Sequence, residues 1–126
     1  MRITFLLEDD DTTNRASKLA LRDAGWLAAR GHEVALVRRA GAPSELPENC
    51  RFVRVTDFAA ARLPDGDAIV ATSWLTTTWV ANAAPRSGVP VHLCEDYEGG
   101  RAALDSVRER VEAAYRMPGV HHLTCT

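Results

Sequence analysis

Only one of the fifteen basic residues is a lysine, Lys18; the other fourteen are arginine. Seventeen acidic residues outweigh them and leave a formal net charge of −2. That balance speaks against a general electrostatic grip on nucleic acid or anionic lipid, although it leaves room for a local basic patch. Cysteine is scarce and odd in number: Cys50, Cys94 and Cys125 lie far apart and form no C-x-x-C. A disulfide framework is not expected, and reduced thiols in a cytoplasmic setting are. Glycine is missing between Met1 and Gly25, so no G-x-G-x-x-G follows the first apolar run. No glycine-rich loop ending in Lys-Ser/Thr occurs either, which disfavours tight binding of NAD or ATP. Long apolar runs are missing too. Ile3 to Leu7 is followed at once by Glu8-Asp9-Asp10-Asp11, which does not make a secretory signal. No run approaches the ~20 residues of a membrane span. The chain is expected in the cytoplasm, at most peripheral at a membrane.

What is present suits one domain. A chain of 126 residues can bury roughly two-thirds of its unfolded surface. With 46% hydrophobic and 25% charged residues, disorder is not expected. Strand-like and helix-like patterns alternate. Residues 3–7 read as a strand buried on both faces. Thr12-Thr13-Asn14 offers cap chemistry for a helix from Arg15 to Arg30, with Ala16, Leu19, Ala20, Ala24, Leu27 and Ala28 at helical spacing. Gly31 sits where a left-handed residue would stop that helix. Strands are predicted over 33–37, 51–55, 67–71, 90–94 and 120–124. Helices are predicted over Leu75–Ala84, despite three threonines of modest helix propensity, and over Arg101–Arg116. The stretch from Arg38 to Cys50, with Gly41, Pro43 and Pro47, reads as a loop.

This alternation predicts an α/β fold: a Rossmann-like, doubly wound parallel sheet of about six strands in the order 3-2-1-4-5-6, with right-handed crossovers. Functional groups should then gather at the carboxyl ends of the strands, near the switch between strands one and four. The acidic Glu8–Asp11 cluster stands there. It could bind Mg²⁺, open a response-regulator receiver domain, or be a solvated loop. A receiver also needs an acceptor Asp after its third strand and a Lys after its fifth. Asp57 has no buried strand before it, and no Lys follows Cys94. Thr13, Asn14 and Arg15 open the first helix, where an anion can bind, or they simply cap it. His121-His122 lacks a third ligand at suitable spacing and reads as part of a strand. Cys94 and Cys125 read as small buried hydrophobes. Trp26 and Trp79 read as packing residues. Trp74, at a strand end, can stack on a sugar or on a lipid acceptor.

Asp67-Ala-Ile-Val-Ala-Thr-Ser-Trp74 is followed by Gly88-Val-Pro-Val-His-Leu-Cys-Glu95-Asp96-Tyr97-Glu98. Together with Leu27-Ala-Ala-Arg-Gly-His-Glu-Val34, these segments resemble the N-terminal half of GT-B glycosyltransferases of the retaining GT4 family, in a rhamnosyltransferase-like branch. The resemblance spans almost the whole chain. A-T-S-W with E-D-Y-E is its more specific part, because R-G-H-E-V occurs in many Rossmann-like folds. Two departures stand out. Asp11-Thr12-Thr13-Asn14 replaces the family's Gly-Gly after strand one, and Glu95 stands where Gln is common. The resemblance implies an acceptor-side domain over residues 1–126, with the donor-binding domain beyond Thr126 and absent here. The chain would then be a cut, a relic or a split subunit of a longer protein.

The reaction implied is transfer of a sugar from a nucleotide diphosphate sugar to a hydroxyl of a glycan, lipid or small molecule, without a metal or other cofactor. Residues expected to line the acceptor cleft are Glu8, Thr13, Asn14, Arg15, Ser73, Trp74, Glu95, Asp96 and Glu98. The 126 residues alone are expected to be inactive, and to self-associate through an exposed domain-docking face. The alternative is a non-catalytic α/β binding or assembly module, and the receiver comes third.

Overall fold

The computed structural model describes residues 1–7, 15–39, 46–94 and 105–124. Its elements in chain order are β1 (Arg2–Leu6), α1 (Arg15–Ala29), β2 (Glu33–Arg38), β3 (Cys50–Arg54), β4 (Ala68–Ala71), α2 (Trp74–Ala81), β5 (Val89–Cys94), α3 (Asp105–Tyr115) and β6 (His121–Thr124). Short 3-10 turns at Ala60–Arg62 and Pro85–Ser87 flank β4 and α2. All six strands pair in parallel, in the order β3-β2-β1-β4-β5-β6. This is the predicted Rossmann-like sheet. It also separates the chain from the receiver fold, whose 2-1-3-4-5 order puts strand three beside strand one; here β1 lies between β2 and β4.

The buried runs make the central strands. β1 is buried at every residue but its first, and so is β2, as expected of strands covered on both faces. Alternation along β1 sends Ile3, Phe5 and Leu7 into one core and Leu6 into the other. The first core also holds Val34, Leu36, Val70 and, from α1, Ala20, Leu21, Ala24 and Ala28. The three alanines recur every four residues, so one small-residue stripe lets α1 lie close to the sheet. The second core joins Leu6, Val37, Ile69 and Ala71 to Val80, Val120, Phe58 and Leu63.

The ends of the elements follow local chemistry. Helix α1 stops at Ala29, and Gly31 takes the left-handed conformation, φ +94°, as its position predicts. Helix α2 is shorter than expected. It ends at Ala81, where Asn82 donates its amide N–H and its side-chain Nδ2 to the Thr78 carbonyl, and the chain turns through Pro85–Ser87 into β5. Gly88 makes that entry possible. Its φ is +100°, and a Cβ there would lie 2.2 Å from the Asp67 carbonyl carbon. Only glycine lets the two backbones meet, and Val89 N–H then bonds the Asp67 carbonyl at 3.0 Å. Arg86 clamps the same corner, donating to the carbonyls of Leu63 and Ala60 and to the Asp65 carboxylate. Among the described residues no helix is long and apolar enough to cross a membrane.

Candidate functional site

The turn from β4 into α2 stands beside β1, where the strand order reverses and a doubly wound sheet opens a crevice. Its first residue closes the switch. Thr72 donates its hydroxyl to the Leu6 carbonyl at 2.8 Å, tying the ends of β4 and β1 together. Thr76 organises the rest. Its Oγ1 accepts the N–H groups of Thr72 and Ser73 at 3.2 and 3.3 Å and donates to the Ser73 carbonyl at 3.0 Å. Thr77 donates to that same carbonyl at 3.0 Å. Threonines that lower helix propensity in isolation here satisfy buried backbone groups at a helix entrance. Sequence reasoning weighed them against the helix, and the structure uses them to start it.

Ser73 and Trp74 therefore come together, in different roles. Ser73 is the extended N-cap residue of α2 and is 1% exposed. Its Oγ faces the first turn without a hydrogen bond of good geometry. Trp74 opens α2 half-buried, with the Arg110 guanidinium of α3 5.7 Å from its ring centre. A groove of about 240 Å³ lies between these helices, with Leu75, Thr78, Ala113 and Met117 among its walls. Arg15 begins α1, but its side chain lies outside the described residues. So do Glu8, Thr13, Asn14, Glu95, Asp96 and Glu98, and the acidic cluster as a whole. A larger, open groove of about 680 Å³ runs along the opposite, amino ends of β1, β2 and β3, among Arg2, His32, Glu33, Asn49 and Arg51. Size alone would favour it; strand topology favours the β4–α2 turn.

Three side chains near the carboxyl half of the sheet have placements that the sequence did not reveal. Arg38, read as the start of a loop, is the last residue of β2 and only 7% exposed. Arg110 reaches Trp74 from another helix. His92, in the middle of β5, is 1% exposed and in register with His122 of β6. Their Nδ1 atoms are 3.1 Å apart, and His122 Nε2 lies 3.3 Å from the Met117 carbonyl. A carbonyl can only accept, so His122 carries its proton on Nε2, and its Nδ1 accepts from His92 Nδ1–H. Tyr115 packs edge-on against His92, with ring centres 4.9 Å apart. Burial, reinforced by the neighbouring His122, pushes the His92 pKa down to about 4. The pair links β5 to β6 side chain to side chain, with the neutral form of His92 favoured. Among the described residues no group of three or more His, Cys, Asp or Glu could hold a metal ion.

One of the two expectations about packing tryptophans needs correction. Trp26 is 56% exposed and covered on one face by Arg30, 4.0 Å from its ring centre. It points to solvent because its neighbours Ala24 and Ala28 occupy the buried stripe of α1. Trp79 does pack, edge-on against Phe58 with ring centres 6.1 Å apart, yet it stays 37% exposed. Compared with protein-family models, with curated proteins and with solved structures, the chain matches none.

Proposed function

We propose that these 126 residues form the acceptor side of a retaining GT-B glycosyltransferase, which moves a sugar from a nucleotide diphosphate sugar to a hydroxyl acceptor. The observation that carries the reading is the position of Trp74. The A-T-S-W segment that resembles the GT4 family ends β4, and its indole stands half-buried at the carboxyl end of the sheet, beside the β1/β4 switch. An indole at such an end presents a flat apolar face on which a sugar can stack.

The division of labour follows from what transfer requires. The donor diphosphate must be held by helix N-termini and basic groups while its anomeric carbon faces the acceptor hydroxyl. Residues 8–14 hold no glycine to bring backbone amides against a phosphate, and the chain's one lysine, Lys18, lies inside α1. In this proposal the donor belongs to a second Rossmann-like unit, and the strand ends described here form the facing wall. The test is calorimetry and a nucleotide-release assay on the 126-residue protein with UDP-, GDP- and dTDP-sugars. Heat changes at the level of dilution and no release of nucleotide are expected. Micromolar binding, or steady release, would place donor chemistry in this half and overturn the assignment.

A further inference from the structure

Two tryptophan–arginine pairs in this fold invite comparison. Arg30 lies 4.0 Å from the centre of Trp26, which is contact distance; both side chains are exposed, Trp26 in α1 and Arg30 just past its end. Arg110 stands off at 5.7 Å from the centre of Trp74, near the outer limit of a cation–π contact. The two side chains come from different helices, and the groove of about 240 Å³ runs between those helices. The first pair is closed. The second pair lines that groove, so a ligand in the groove can reach both Trp74 and Arg110.

We propose that this groove binds a single pyranose ring bearing a carboxylate, stacked on Trp74 and ion-paired with Arg110. The proposal rests on the acceptor-side reading for the part that this sugar plays in the reaction. Each contact has its chemical counterpart. The indole offers an electron-rich face to the C–H groups of a pyranose. Leu75, Ala113 and Met117 provide an apolar wall, and Thr78 places an exposed hydroxyl at the rim. The guanidinium fork of Arg110 matches a carboxylate in a bidentate pair, which a neutral sugar cannot supply. The ion pairs formed among the described residues join Arg22 to Asp23, Arg62 to Asp57 and Arg86 to Asp65. Arg110 belongs to none of them, and its partner is the indole. The volume falls below the roughly 300 Å³ at which drug-sized sites begin, which suits one ring and its substituents. The groove starts at the first residue of α2, so a ring seated there adjoins the strand ends.

Nuclear magnetic resonance tests this with the indole N–H of Trp74, isolated in the Trp26→Phe, Trp79→Phe protein. Methyl glucuronide, methyl glucoside and octanoate are titrated separately, at low and at high salt. The glucuronide should shift the Trp74 signal and bind about twofold to fivefold more tightly than the glucoside, the range of one partly exposed ion pair. High salt should erase that difference. Arg110→Gln should bring the two sugars to parity while the amide spectrum stays that of the folded protein. Equal binding of both sugars by the parent protein refutes the carboxylate preference and leaves the acceptor-side reading standing. Octanoate binding at Trp74 more tightly than the glucuronide would make the groove an acyl site and refute the proposal. So would a Trp74 signal that none of the three moves. Glucuronide binding at Trp74 in a protein that also turns over nucleotide sugars would uphold the groove and overturn the acceptor-side reading.

Discussion

Acidification should loosen this fold through one residue. His92 is buried in β5 and, among the described residues, meets the titratable groups of His122 on β6 and Tyr115 on α3. An unfolded histidine titrates near 6.5, whereas burial and His122 bring His92 to about 4. The neutral form is thus favoured in the folded protein and the charged form in the unfolded chain. The resulting stabilisation is nearly complete above pH 7, declines as the pH falls below 6.5, and is exhausted below about 4. Linkage between these two values gives a loss of about 2 kcal/mol on going from pH 7 to pH 5. That is a sizeable share of the 5–15 kcal/mol typical of a domain.

Geometry explains why the charge is resisted. With Nδ1 already carrying a proton toward His122, a second proton on His92 would have to sit on Nε2, a buried atom, where the charge loses its hydration. Urea unfolding of the parent and of His92→Gln at pH 7 and pH 5 isolates the effect, because both proteins share every other titrating group. The parent should lose about 2 kcal/mol more than the variant over that interval. Equal losses would refute the assignment. Direct titration of the His92 ring by nuclear magnetic resonance provides a second check that needs no variant, and a midpoint above 6 would refute it as well.

Other outcomes follow from the corners of the sheet. Gly88→Ala should cost more than about 3 kcal/mol, or abolish folding, since a Cβ would strike the Asp67 backbone and φ is positive; thermal unfolding followed by circular dichroism measures it. Thr76→Val keeps the shape of the side chain but strands the amides of Thr72 and Ser73. It should destabilise by about 2–4 kcal/mol in urea titrations. Arg86→Met should cost about 1–2 kcal/mol and speed proteolytic cleavage near the Ala60–Arg62 turn, whose carbonyl it no longer holds; a cleavage rate unchanged from the parent would contradict the clamp.

Much of the architecture was legible in the residues because it depends on neighbours in the chain. Apolar runs of four or five residues marked β1, β2 and β4. A four-residue spacing of alanines marked the buried side of α1, and Gly31 marked its end. The strand boundaries differ from expectation by no more than one residue. Alternation of these elements then left a parallel sheet wound in both directions as the economical arrangement, and with it the end of the sheet at which a site belongs. The weaker readings were those in which a local tendency met a tertiary demand. Thr76 and Thr77 oppose a helix by propensity and stabilise this one by bonding buried carbonyl and amide groups at its entrance.

What only the tertiary structure decided is which distant residues meet. His92 and His122 become partners through the register of β5 on β6, and a shift by one residue would turn their side chains to opposite faces. Trp74 and Arg110 face one another because α2 and α3 pack on the same side of the sheet. Ser73 and Trp74 are adjacent in sequence, yet one is sealed as a helix cap and the other borders a groove. Residue type and spacing set what each side chain can do. Its burial, its pKa and its partner arise from through-space packing between elements far apart in the chain, and local patterns do not encode those distances.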